Sequence, residues 1–139
     1  MATIKLHKEN FDQTVEDNAM VVVDFWAPWC GPCRGFGPVF EAASEQHTDV
    51  VFGKVNTDEE QELAQGFGIR SIPTLMVMRD KIILYSEAGA LSAGQLGSIL
   101  ERAKALDMQT VHRELAEQAE AEKGVDQKSP DPTSADQKT

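Results

Sequence analysis

The stretch Val21-Val22-Val23-Asp24-Phe25-Trp26-Ala27-Pro28-Trp29-Cys30-Gly31-Pro32-Cys33-Arg34 decides how the rest of the chain is read. Its first six residues form a continuous apolar run with one acid inside. β-branched and aromatic side chains dominate it, which predicts a strand buried on both faces. Its end holds the only two cysteines of the chain. Two cysteines separated by two residues can close a small disulfide ring or open to a dithiol, and without a secretion signal the spacing reads first as a redox pair. Half a zinc site has the same spacing, but zinc takes four ligands. His7, His47 and His112 stand singly and supply no second ligand pair. The pair is read as a dithiol, and no metal is expected.

A chain of 139 residues supports one domain with a respectable core and some excess length. Its 13 basic and 23 acidic residues give a formal net charge of -10, which argues against nucleic acid as a partner. No apolar run approaches the roughly 20 residues of a membrane span, so no membrane is expected either. The start, Met1-Ala2-Thr3-Ile4-Lys5-Leu6-His7-Lys8, lacks the pattern of a signal peptide. The expected location is a reducing cytoplasm, where a vicinal dithiol is catalytic rather than a structural staple.

Further buried strands are expected at Val50–Val55 and at Thr74–Met78, with Ile82–Tyr85 following Arg79-Asp80-Lys81 as a hairpin whose turn lacks the usual glycine. Asn10 with Gln13, Thr57 with Glu60, and Ser92 with Gln95 fit capping boxes or close variants. Another helix should run from about Pro32 to Gln46, turning Phe36, Val39 and Phe40 to the core and kinking at Pro38. Phe11, Phe25, Phe52 and Leu75 are also read as core. Alternation of strand and helix implies a βαβ unit, completed by a hairpin and a final helix into a mixed sheet covered on both faces. Leu96, Ile99, Leu100 and Ala103 form a stripe that ends near Leu106. Beyond the domain at 1–106, Asp107 starts an extra helix over 107–123 with a thin stripe of Met108, Val111 and Leu115. Residues 124–139 read as a disordered acidic tail, because Val125 is their only large apolar side chain.

Taken together, the chain resembles the thioredoxin family over residues 2–106. The resemblance rests on Val23–Arg34, on Phe67-Gly68-Ile69-Arg70-Ser71-Ile72-Pro73-Thr74-Leu75, and on Gly89-Ala90-Leu91-Ser92. It implies an α/β thioredoxin fold: a central mixed β-sheet flanked by helices on both faces, here with a C-terminal helical extension and tail. The implied activity is general thiol–disulfide exchange that reduces protein disulfides and needs no cofactor. The implied partners are an NADPH-dependent thioredoxin reductase and oxidised protein substrates, with a monomer as the family expectation.

The residues support that reading on physical grounds. Cys30 sits where a strand hands over to a helix, and the free N–H groups and dipole there favour a thiolate, which makes it the nucleophile. Cys33, one turn inside the helix, should be more buried and resolve the mixed disulfide. Pro32 suits a first helical turn, and by resemblance Gly31-Pro32 is the reducing pair. Asp24 in an apolar strand is expensive unless paired or neutral, so burial should raise its pKa. By resemblance it moves the proton of Cys33, with Lys54 as its partner. Pro73 could be a plain trans residue at the head of a strand, but the resemblance makes Ile72-Pro73 a cis-proline loop. Trp29, Ile72, Pro73, Gly89 and Ala90 would then form a shallow apolar platform where a substrate backbone pairs with Ile72.

His7, His47 and His112 read as solvated, with no acid partner suggested by spacing. Gly35, Gly37 and Lys81 depart from the family pattern. An alternative is a binding or chaperone-like module that uses the extension. An oxidant or isomerase of the same fold is opposed by Gly31-Pro32 and by the missing export signal.

Overall fold

A computed structural model describes residues 2–128. Five strands and five helices follow in the order β1 (Thr3–Lys5), α1 (Phe11–Asp17), β2 (Met20–Trp26), α2 (Gly31–Gln46), β3 (Val51–Asn56), α3 (Gln61–Gly66), β4 (Thr74–Arg79), β5 (Ile82–Ala88), α4 (Ala93–Ala105) and α5 (Met108–Lys128). The chain divides into two compact units, one ending at Ala105 and the other beginning at Leu106.

In the first unit the sheet order is β1-β3-β2-β4-β5. β3 pairs in parallel with β1 and β2, while β4 runs antiparallel to β2 and β5. Strand alternation divides the core into two layers. Val22, Leu75 and Val77 pack with Phe36 and Phe40 of α2 and with Leu96 and Leu100 of α4. On the other face Val21, Val23, Phe25 and Met76 pack with Phe11 and Val15 of α1, and Leu63 and Phe67 join from α3 and the turn after it. The expected strands and core aromatics are present. β1 was not expected, because three residues with one large apolar side chain leave no apolar run to read.

Helix starts follow the expected pairs only in part. Ser92 and Gln95 form a reciprocal box, with Ser92 N–H donating to Gln95 Oε1 at 3.0 Å and Gln95 N–H donating to Ser92 Oγ at 3.1 Å. Asn10 does not cap α1; its Oδ1 accepts instead from His7 N–H and its Nδ2 donates to the Lys5 carbonyl, fixing the loop upstream. Thr57 donates its hydroxyl to the Trp26 carbonyl, and Asn56 Oδ1 takes the N–H groups of Asp58 and Glu59. The turn before α3 is therefore organised by Asn56 rather than by a Thr57–Glu60 box.

His7 and His47, expected to be solvated, have partners. His7 Nδ1 lies 3.0 Å from Glu9 Oε1. His47 is largely buried and accepts from the Lys104 ammonium at 2.8 Å, while Lys104 also reaches Asp49 at 3.2 Å. These contacts join the end of α2 to α4, elements far apart in sequence.

The β4–β5 turn is Asp80-Lys81, both at positive φ (54° and 68°). Arg79 pairs with Ile82, so this is a two-residue hairpin loop of the kind glycine usually supplies, formed here without one. A register shift at Val77/Met78 adds a bulge opposite it in the pairing.

In the second unit Asp107 starts α5 by accepting from Gln109 N–H at 3.1 Å and from the Thr110 hydroxyl at 2.8 Å. The helix continues to Lys128, past the end expected at 123 and through Gly124. Each added residue gains a backbone bond once a helix is under way, and one glycine costs only about 1 kcal/mol. The rest of the expected tail, 129–139, lies outside the described residues. Among those described, no helix is long and apolar enough to cross a membrane.

The glycines divide sharply. A Cβ on Gly53 would lie 2.6 Å from Leu6 Cγ and closer still to its Cδ1, and Leu6 is fully buried with no room to yield. A Cβ on Gly35 would meet nothing within 4 Å. Gly53→Ala should lower stability by about 1–3 kcal/mol, and Gly35→Ala should raise it by about 0.5–1 kcal/mol. Urea denaturation of both variants checks the pair of signs.

Candidate active site

β2 leaves the sheet at Trp26, and Ala27-Pro28-Trp29 carries the chain to the start of α2. Cys30 is the N-cap of that helix: its backbone is extended (φ −89°, ψ 114°), and its Sγ accepts from Cys33 N–H at 3.2 Å. Pro32 occupies the first turn, where a missing N–H leaves no bond unmade. Cys30 and Cys33 are joined as a disulfide with their Cα atoms 5.2 Å apart. They are 5% and 3% exposed, so burial barely separates the two sulfurs. Position separates them instead. Cys30 Sγ lies 3.7 Å from the Ile72 carbonyl oxygen, whereas Cys33 is on the first turn, facing inward.

The Ile72–Pro73 peptide bond is cis. Ile72 packs against Ala27, Cys30 and Cys33, together with Trp26. The Pro73 carbonyl accepts from Gly89 N–H at 2.8 Å, and Gly89 has φ +116°, a conformation that side chains rarely adopt. Ile72 thus lies next to the sulfurs and Gly89 is tied to Pro73, while Gly31, Pro32 and Ala90 are exposed. Trp29 is 67% exposed yet anchored, because its indole N–H donates to both carboxylate oxygens of Asp58 at 3.0 and 3.2 Å. Asp58 was invisible as a site residue in the sequence, since nothing in the spacing links it to Trp29. The guanidinium of Arg34 donates to the Pro28 carbonyl at 2.8 Å and ties the first turn of α2 to the loop before it.

Asp24 lies directly beside Lys54 in the β2–β3 register. Alternation puts it on the α2 side of the sheet, between Val22, which packs with Phe36 and Phe40, and Trp26, which packs on the two cysteines. The residue is 1% exposed, and neither carboxylate oxygen has a hydrogen-bond partner. Burial pushes its pKa up to about 7; the Lys54 ammonium opposes the rise and the Glu41 carboxylate adds to it. Lys54 Nζ sits 5.0 Å from the centre of the Trp26 ring and 3.8 Å from Glu41 Oε2. A surface crevice of about 430 Å³ runs along this side, lined by Thr3, Ile4, Lys5, Trp26, Lys54, Asn56 and Glu59. Glu41 was not singled out in the sequence, where it is one acid among many on a helix. Among the described residues no group of three or more His, Cys, Asp or Glu is placed to hold a metal ion.

A helix N-terminus that presents one sulfur beside the carbonyl preceding a cis-proline, with a second sulfur behind it, can exchange a disulfide with an extended chain. Comparison with known proteins agrees. The family model Thioredoxin matches residues 2–102. A Streptomyces coelicolor protein that carries the name thioredoxin 2 is 53% identical over 117 residues, covering 84% of this chain and 87% of its own. That match is long enough to reach into α5. A thioredoxin of Alicyclobacillus acidocaldarius is 42% identical over 106 residues, 72% of this chain and all of its own. Among solved structures, a Plasmodium falciparum thioredoxin superposes with a TM-score of 0.67 at 34% identity, covering 72% of this chain and 97% of that one. A mutant thioredoxin of Halobacterium salinarum gives 0.69 at 33%, with 76% and 92% covered. The chain belongs to the thioredoxin family, and with its Cys30–Cys33 pair in place it is a thiol–disulfide oxidoreductase.

Proposed function

We propose that this protein is a cytoplasmic, monomeric reductant of protein disulfides, recharged by an NADPH-dependent thioredoxin reductase. The family works with thioredoxin reductase and protein substrates in general. The observation that carries the finer reading is the cap: Cys30 Sγ already accepts the Cys33 N–H, so the helix start is built to hold electron density on that sulfur.

In the reduced protein the Cys30 thiolate attacks one sulfur of a substrate disulfide. A Cys30–substrate bond forms, and the other substrate sulfur leaves as thiolate. Cys33 then gives its proton to the Asp24 carboxylate and attacks Cys30 Sγ. The internal disulfide forms, the mixed disulfide breaks, and the substrate leaves as a dithiol after taking up protons. Two electrons have moved from the protein to the substrate, and the reductase returns them. Ile72, Pro73, Gly89, Ala90, Trp29, Gly31 and Pro32 form the platform on which the extended substrate lies, its backbone pairing with that of Ile72. Lys54 supplies the positive charge that limits how firmly Asp24 holds its proton.

Cys30→Ser should abolish reduction of a test protein disulfide, and Cys33→Ser should instead accumulate the mixed disulfide, which non-reducing electrophoresis reads directly. The Cys30–Cys33 couple should equilibrate with dithiothreitol near the thioredoxin value of about −270 mV, and a value near about −120 mV would make the protein an oxidant.

The raised pKa of Asp24 also sets a stability profile. The folded protein holds this proton more tightly than the unfolded chain, so the contribution is full below about 4, declines as pH rises, and levels off above about 7. Asp24→Asn removes the burden of a buried charge. The variant should gain about 2–4 kcal/mol over the parent at pH 8 and much less at pH 4, while exchanging disulfides more slowly. Urea titrations at the two pH values check the sign.

A further inference from the structure

On the α2 side of the sheet two acids and one cation meet: Asp24 is buried, and Glu41 and Lys54 are partly exposed. Lys54 comes from β3, Asp24 from β2 and Glu41 from α2, about two helical turns beyond Cys33 on the same helix. Glu41 Oε2 accepts from the Thr3 hydroxyl at 2.9 Å and lies 3.8 Å from Lys54 Nζ. Its Oε1 is buried without a partner, as are both oxygens of Asp24. Three of the four carboxylate oxygens are therefore dry and unpaired, and the single ammonium forms its ion pair with Glu41. No ion pair of Asp24 is found among the described residues.

We propose that Glu41 is a positioning residue for the exchange reaction: by engaging Lys54 it holds that charge off Asp24 and sets the pH at which Asp24 gives up its proton. The proposal rests on the proton-transfer role of Asp24 given above. Its physical basis is a charge count. A second ionised carboxylate beside one lysine is disfavoured when both of its oxygens are buried without a partner, as those of Asp24 are. Glu41 has the Thr3 hydroxyl and the ion pair with Lys54, whereas Asp24, though Lys54 acts on it across the register, has no hydrogen bond or ion pair, so burial favours its protonated form.

The other groups nearby do not change the count. Thr74 and Leu75, which register with β2 around Asp24 from β4, carry no charge. On the β1 side, Lys5 is exposed and paired with Glu59 at 2.9 Å. Cys30 and Cys33 are uncharged while joined as a disulfide. The oxidised protein is therefore the form in which Glu41 and Lys54 alone act on Asp24.

The test is carboxyl-carbon NMR titration of Asp24 in the full-length oxidised protein, alongside the pH profile of disulfide reduction. In Glu41→Gln the Asp24 midpoint should move down by about one pH unit, because Lys54 then acts on Asp24 alone. Glu41→Asp, which keeps the charge, should restore most of it. An Asp24 midpoint unmoved by Glu41→Gln overturns the proposal. If the midpoint moves and the rate profile does not, the coupling stands and the proton-transfer role of Asp24 falls. Should Glu41→Gln fail to fold, the unaltered protein decides. Coupled acids register each other's titration, so the Glu41 carboxyl carbon must show an inflection at the Asp24 midpoint, and its absence overturns the proposal.

Discussion

Strand β2 is hydrogen-bonded along both edges, in parallel to β3 and antiparallel to β4. That double pairing centres the strand in the sheet, the helices on both faces bury its side chains up to Trp26, and the acid at position 24 is 1% exposed. The same strand delivers the chain to the start of α2, where both sulfurs sit. The sheet thus places a carboxylate under the active-site helix in a single stroke. The chemical character of the site follows from a packing constraint, since a carboxyl on an edge strand would titrate as it does in water.

The surroundings reinforce the placement. α2 is held on the sheet by Phe36 and Phe40, its far end by His47 and Lys104, and its first turn by Arg34 on the Pro28 carbonyl. Pro38 lies within the helix without ending it. A helix fixed at both ends can present a reactive sulfur at a constant height above the sheet. The cis-proline loop, tied through Pro73 to Gly89, supplies the facing wall.

Much of this was legible in the sequence because it depends on local pattern. Apolar runs gave β2, β3 and β4, and the C-x-x-C at a strand-to-helix handover gave the reactive pair and its likeness to thioredoxins. What escaped was tertiary or very short. β1 has three residues and draws its strand character from β3. Asn56 organises the turn before α3 where Thr57 was expected to, because the Thr57 hydroxyl is claimed by the end of β2. Asp58 reaches Trp29 across 29 positions, and Lys104 reaches His47 across 57. Glu41 joins the buried site only once β1 and β3 are laid beside α2. Periodicity says which face a residue takes; it does not say which polar groups meet there.

One consequence of the cap has wider reach. Helices usually begin with serine, threonine, aspartate or asparagine, whose oxygen holds the first turn whatever else happens. Here the holding atom is the Sγ of Cys30, which accepts from the very residue to which it is covalently joined. In the oxidised state the first turn of α2 is closed by a bond and a hydrogen bond together. Reduction removes the covalent bond. The protein therefore offers its partners one surface at two stiffnesses: a rigid face to whatever delivers electrons, and a more pliant one to whatever receives them.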